Sequence, residues 1–484
     1  MKFRDLFGQN SFFWLRLFLF PLLVGLLALA DPWRSVSYLL AFLAFFLYAL
    51  FSWSKAWLIV LFLIPLQEMA PPLFNQPKLL PHRFLLILAA AALLVKIFRQ
   101  KEHDLKSILH LLLRPGFLTF ALFVLANIFS AFYNRSLDAL FRSLTYTEPL
   151  FYFALTWMWI NSEKNNLSRL SGNFVLAGFW TQVIGLMEMA TQKSIRRLLA
   201  IPSSTPWEEL FATDRFGLGG RISSTLSHPV YAGLYFLFLL LISIYFFSHF
   251  KPRHKFLLLI LVPLNLFLLL ATGTRAVIIC FFLSLLFLAI SFRPQKRIFV
   301  PILASLLTGL IFIFFFFPQI PLYFQKSFKI RPGIQESANI RHRLVLTRTF
   351  LDVFAQKPIF GNGPGLIQKE ALKEGSSFKK MSGIENQYAI ILADGGLLAG
   401  LAYLAFIIAV FWEVRRLGQL RSEPDIYLGH AFLLAAFVGY FFFVITETCL
   451  TQAPNYVLMS LFGALSGSRQ RNLDVMAIRN ESKI

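Results

Sequence analysis

Long apolar blocks recur along the chain, and short charged segments separate them. Ser11 to Ala30, Phe117 to Phe132, Tyr231 to Phe247, Val277 to Phe292 and Val300 to Phe317 are examples. Each approaches the length of about 20 mostly apolar residues that carries a helix across a bilayer. Inside hydrocarbon every backbone polar group needs an internal partner, so such blocks are helices. The pattern predicts fourteen spans, near 11–30, 33–52, 56–69, 82–98, 115–132, 145–160, 173–190, 229–248, 256–272, 275–292, 298–317, 387–412, 428–446 and 453–467, of which the third and last are short. The expected fold class is therefore an all-α polytopic integral membrane protein of 12–14 transmembrane helices. The first block is read as a retained span. Its apolar stretch is long, and no small-residue cleavage site precedes a soluble domain.

Composition excludes a soluble fold. Hydrophobic residues make up 57% of the chain and charged residues 14%, against about 25% charged in soluble domains. The net charge of +22 would point to nucleic acid in a soluble protein. Here it is read as topology, and no nucleic-acid partner is expected. Cys280 and Cys449 fall in apolar blocks without metal-ligand spacing.

Lys and Arg alternate between the connecting segments as an oriented membrane protein requires. The N-terminus (Lys2, Arg4), Lys96 to Arg114, Lys251 to Lys255, Arg293 to Arg297, Arg415 to Arg421 and the tail from Arg469 are basic. With fourteen spans all of them share one face. The expectation is that this face is the cytoplasm, with both termini there.

Two longer loops on the opposite face, 191–228 and 318–386, are exceptions, and the second carries eleven Lys and Arg. Long translocated loops are largely exempt from the charge rule, so their charge calls for another reason. Within the second, Leu344, Leu346, Phe350, Val353 and Phe354 recur at helical spacing and predict an amphipathic helix over 341–356. Lys357-Pro358 ends it, and Gly361, Gly363 and Gly365 form a turn around Pro364. Neither inverted repeats nor linkers divide the chain, which reads as a single membrane domain over 1–484.

Several polar residues converge on the face of these loops. Arg275, in Thr-Gly-Thr-Arg-Ala, sits in a tight turn between two very apolar helices. An arginine so near hydrocarbon has a partner, a function, or a snorkelling route to the headgroups. Arg221 precedes a helix start at Ser227-His228-Pro229, where Ser227 fits an N-cap and Pro229 the first turn. The free N–H groups there, with an arginine, would make an anion site; a plain capped helix is the simpler reading, with His228 part of the cap. Arg341 and Arg343 open the amphipathic segment, and Glu385-Asn386 precede the twelfth span. Glu385 is a helix-capping acid or a general base. Asp394, followed by Gly395-Gly396, is an intramembrane acid, read as functional or as a helix-to-helix hydrogen bond. No nucleotide, divalent-metal or serine-hydrolase motif is visible, so neither metal nor cofactor is expected.

Four ordered pieces carry a resemblance: Arg221 to Gly233, Thr272 to Ala276, Arg343 to Gly365 and Glu385 to Leu401. The sequence resembles the O-antigen ligase and O-antigen polymerase (Wzy-type) superfamily of bacterial envelope glycan transferases. The resemblance implies a GT-C-like membrane glycosyltransferase with a catalytic region over 215–412. It also implies an undecaprenyl-pyrophosphate-linked oligosaccharide as donor, a glycan acceptor in the bilayer, and a chain-length regulator as a candidate partner.

On this likeness Arg221 and Arg275 match arginines that hold the carrier's pyrophosphate. Arg343 matches a third, with Arg341, His228 and Asn386 as further substrate-binding candidates. Glu385 stands where ligases carry His. An acid there resembles the polymerases, and a carboxylate also serves as base; His342 is the alternative base. The function expected is polymerisation by metal-independent, inverting glycosyl transfer on the extracytoplasmic face. The alternatives are an O-antigen ligase acting on lipid A core, a protein O-oligosaccharyltransferase, and, in a different class, a lipid-linked glycan flippase.

Overall fold

The computed structural model describes residues 33–69, 80–100, 103–162, 166–191, 193, 221–226, 228–248, 258–292, 311, 315, 340–367, 386–417 and 424–481. Every regular element among them is helical. In chain order they are α1 (Trp33–Phe51), α2 (Trp53–Leu63), α3 (Pro81–Gln100), α4 (His103–Leu112), α5 (Pro115–Tyr133), α6 (Leu137–Thr145), α7 (Glu148–Ser162), α8 (Asn166–Thr191), α9 (Pro229–Ser248), α10 (Leu258–Ala271), α11 (Arg275–Phe292), α12 (Ile340–Gln356), α13 (Gln387–Leu417), α14 (Pro424–Phe443) and α15 (Ala453–Glu481).

Pro115–Tyr133, Leu167–Thr191, Pro229–Phe246 and Gln387–Leu417 are long and apolar enough to cross a membrane. Ser35–Phe51, Trp53–Gln67, Ile260–Ala271, Arg275–Ser291 and Leu428–Phe443 are apolar but shorter. On α11, Ile279, Phe282, Leu286 and Ile290 lie exposed at helical spacing, an apolar stripe suited to lipid and not to water. By contrast α9 is enclosed by other helices, with Leu234 to Leu241 all buried. The protein is membrane-embedded and helical among its described residues.

Twelve of the fourteen expected spans coincide with described helices; 11–30 and 298–317, apart from Ile311 and Phe315, lie outside the described residues. The differences are local. The third span is α2 continued by a 3-10 turn, Ile64–Met69. The last is a long helix to Glu481, because its polar second half is also helical. Two segments read as connections are amphipathic helices. One is α4, and the other is α6, which Ser136 caps by accepting from the Ala139 N–H at 3.2 Å. Their apolar residues are too few for a span and give only a one-sided stripe.

Contacts between helices fix their relative directions. Ser130 of α5 bonds the Asp394 carbonyl of α13 at 2.7 Å, and the Gly116 N–H bonds Glu413 at 2.8 Å, so these two helices are antiparallel. Ser284 of α11 donates to Ala435 of α14 at 2.8 Å, while Cys280 lies by Gly439; that pair is antiparallel too. The α7 and α15 helices run parallel. Tyr456 meets Glu148, Gly463 meets Phe153, and Gly467 meets Trp157. The Gly463-Ala-Leu-Ser-Gly467 spacing permits this approach. A Cβ at Gly467 would lie 2.9 Å from the Trp157 carbonyl oxygen, and one at Gly463 would overlap that of Phe153.

Candidate functional site

Arg221 and Arg275 are far apart in sequence, and the turn between α10 and α11 joins them. The Arg221 Nε donates to the Thr272 carbonyl at 2.7 Å, and its Nη2 donates to the Thr274 hydroxyl at 2.9 Å. Thr274 immediately precedes Arg275, the first residue of α11. Gly273 makes the turn with φ +63°, a left-handed conformation that glycine adopts without strain. Both arginines are half-buried. Two guanidinium groups therefore sit at one helix N-terminus, where free N–H groups add partial positive charge. The start of α9 lies at the same end of the bundle.

The segment after Arg221 is held from below by Glu188 of α8, which is 6% exposed. Its Oε2 accepts from the Ser223 N–H at 2.9 Å and the Ser224 N–H at 2.7 Å. Ser224 is left-handed, φ +54°, and its hydroxyl donates to the Thr181 carbonyl. Sequence reading did not single out Glu188. The available signal was a carboxylate near the end of an otherwise apolar helix.

His228 sits in the cap of α9. Its Nδ1 accepts from the Val230 N–H at 3.1 Å, and its carbonyl accepts from the Tyr231 and Ala232 N–H groups at 3.1 Å each. Ser227, expected as the cap, lies outside the described residues.

Asn386 caps α13, accepting from the Ala389 N–H at 3.1 Å. The next residue, Gln387, bonds the Val444 carbonyl through its N–H at 3.0 Å. Val444 follows α14, which lies along α11. The beginning of α13 is thus at the same end of the bundle as Arg221 and Arg275. Glu385 lies outside the described residues. Arg341, His342 and Arg343 stand in the first turn of α12, and their side chains lie outside the described residues.

The glycine turn after α12 docks into a break in α13. At Gly396 (φ 69°, ψ −167°) the helix is interrupted. The freed N–H of Leu397 donates to the Pro358 carbonyl at 2.7 Å, and that of Leu398 to Ile359 at 3.4 Å. In return, the Asn362 N–H donates to the Ala393 carbonyl at 2.9 Å, and the Gly363 N–H to that of Asp394 at 2.9 Å. The Asp394 carboxylate accepts the Gly365 N–H at 3.0 Å. The Asp394 carboxylate thus bonds the loop backbone, while its carbonyl also accepts from the Ser130 hydroxyl of α5. Asn134, the C-cap of α5, donates to the Gly361 carbonyl at 3.0 Å and accepts from Lys357 at 2.6 Å. Gly361, Gly363, Gly365 and Gly396 all have φ between 69° and 94°. An apolar contact of Phe350, Val353 and Ile367 with Ala389, Ile390 and Ala393 completes the seat. This fixes α12 beside the start of α13.

A second buried polar cluster lies elsewhere. Glu148 of α7 is bonded by Arg83 Nε at 2.7 Å and by the Tyr456 hydroxyl, with His82 Nε2 at 3.5 Å. It ties α3, α7 and α15 together. No group of three or more His, Cys, Asp or Glu that could hold a metal occurs among the described residues.

Among the described residues the protein is helical, with Arg221 and Arg275 meeting at the turn that opens α11. Residues 256–404 match the family model described as O-Antigen ligase. The match supports a relation of this segment to the O-antigen ligase and polymerase superfamily, and with it glycan transfer in general. It contains Arg275, Arg341, Arg343, Glu385 and Asn386, while Arg221 and His228 precede it. No curated protein matches the chain.

Proposed function

We propose that the chain is a glycan polymerase. It transfers an oligosaccharide from an undecaprenyl-pyrophosphate carrier to a hydroxyl of a second lipid-linked glycan at the extracytoplasmic face. The observation that carries this reading is the convergence of Arg221 and Arg275 on one turn, with Arg221 oriented by Thr272 and Thr274. Charge-assisted pairs to pyrophosphate oxygens are among the stronger hydrogen bonds, and arginine presents them in a fork. Arg343, and with it Arg341, would add charge from α12.

In the reaction the acceptor oxygen bonds to the anomeric carbon as the bond from that carbon to the carrier phosphate breaks, with inversion. Undecaprenyl pyrophosphate leaves, and the acceptor proton passes to the Glu385 carboxylate. The arginines stabilise charge growing on the leaving group, where preorganised electrostatics contributes most. The pyrophosphate linkage is already activated, so no further energy source is required. Asn386 and His228 hold the two helix starts that frame the site. The GT-C-like architecture and the catalytic region over 215–412 belong to the same reading.

The test is polymer formation by purified protein on a lipid-linked repeat, with Arg221→Ala, Arg275→Ala and Glu385→Gln. Strong loss in each is expected. Full polymer from all three would refute the assignment. A ligase or protein O-oligosaccharyltransferase would use the same donor chemistry and is distinguished by label appearing on lipid A core or on protein. Flux in liposomes without covalent product would indicate a flippase.

A further inference from the structure

At the other end of the bundle, two arginines act on one carboxylate and a third lies beside them. From Gln387 to Glu413 the α13 helix rises about 1.5 Å per residue, which separates the two ends by roughly 40 Å. Glu413 is 3% exposed. It accepts from the Gly116 N–H at 2.8 Å and the Ser466 hydroxyl at 3.4 Å, so α5, α13 and α15 meet there. Arg114, the N-cap of α5, donates through Nη2 to Gln470. Arg469 is the neighbour of Gln470. Its Nε is buried and has no hydrogen-bond partner among the described residues. Arg416 lies one turn beyond Glu413 with its guanidinium 3.5 Å from the Trp412 ring centroid.

Arg114 and Arg469 act on the Glu413 carboxylate, Arg416 is a further cation beside Arg469, and the N-terminal dipole of α5 adds to the surplus of positive charge. Burial, then the neighbouring cations Arg114 and Arg416, pull Arg469 below its usual pKa, with Glu413 opposing. The repulsion is therefore not neutralised by Glu413 alone. A membrane protein needs basic residues at this face for orientation, but orientation does not require them to converge or to leave a buried Nε without a partner. The surroundings are amphiphilic. Trp412 is 43% exposed, and Leu109, Leu112 and Leu113, which lead into Arg114, are 58%, 47% and 65% exposed. Exposed tryptophan and leucine beside arginines suit a ligand with a phosphate head and acyl tails.

We propose that Arg114, Arg416 and Arg469 form a phosphate site for the headgroup of an anionic phospholipid, at the end of the bundle away from Arg221 and Arg275. The proposal is independent of the transfer reaction. Arginine forks match phosphate oxygens. The lipid joins the ends of α5, α13 and α15 by neutralising their mutual repulsion.

The full chain in nanodiscs of phosphatidylcholine with increasing phosphatidylglycerol tests this. Native mass spectrometry would count retained lipid, and the thermal midpoint would follow stability. Phosphatidylglycerol should be retained selectively and raise the midpoint, and Arg469→Gln and Arg416→Gln should each weaken retention about tenfold, the loss of one charge-assisted contact. Arg135→Gln, the same charge change at an exposed position of the opposite end, should leave retention unchanged. Equal retention of the two lipids, or wild-type retention by both arginine variants, would overturn the proposal. Inorganic phosphate matching the stabilisation by phosphatidylglycerol would overturn its lipid part.

Discussion

Replacing Glu188 by alanine tests whether Arg221 is positioned from within the bundle. The carboxylate is the acceptor for two backbone N–H groups, those of Ser223 and Ser224. Leaving a buried donor unsatisfied costs about 1–3 kcal/mol, so two orphaned amides cost roughly 2–6 kcal/mol. Ser224 also holds a left-handed φ of +54°, which costs of order 1–3 kcal/mol and persists only when its surroundings impose it. The segment should relax locally before the whole protein unfolds, because the opening affects one loop. Arg221 would then lose its fixed approach to Thr272 and Thr274. Forfeiting one charge-assisted contact of about 1.5–3 kcal/mol predicts kcat/KM for glycan transfer lower by about 10- to 100-fold.

Glu188→Gln keeps one carbonyl acceptor and should lose only a few-fold. The assay is turnover of a lipid-linked repeat by purified protein, run in a double-mutant cycle with Arg221→Ala. If Glu188 acts through Arg221, Glu188→Ala adds little to Arg221→Ala. Unchanged kcat/KM, or losses that simply multiply, would refute the reasoning.

Three further outcomes are expected. Gly463→Ala places a methyl against the Phe153 carbonyl and should destabilise the α7 and α15 pair by about 1–3 kcal/mol, seen as a lower unfolding midpoint in detergent. Gly396→Ala puts a Cβ against the Ile359 carbonyl at a left-handed φ of +69°; it should undock the loop after α12, seen as faster hydrogen exchange at Asn362 and Gly363. Glu148→Ala leaves half-buried Arg83 without its carboxylate and removes an acceptor from the Tyr456 hydroxyl, and should cost about 1–3 kcal/mol, whereas Glu148→Gln, which keeps an acceptor, should cost less; thermal aggregation in detergent separates the two.

Apolar length and the glycine spacing are local properties, and the sequence alone determined the elements they specify. The α9 helix begins and ends at 229 and 248, and α11 at 275 and 292, as expected. The helix in the second long loop and the glycine turn after it were equally legible. Amphipathic helices α4 and α6 were not, because ten or fewer residues with a one-sided stripe resemble a connecting loop.

The site was legible as a set of arginines and not as an arrangement. Only the tertiary structure decided that Arg221 lies on the Thr272–Thr274 turn, that Glu188 fixes the backbone beside it, and that Asp394 seats the glycine loop. In hydrocarbon every helix satisfies its own backbone, so the sequence of one span does not say which neighbour it faces. Partners such as Glu188 and Ser224, 36 residues apart, meet only when helix packing chooses which faces touch.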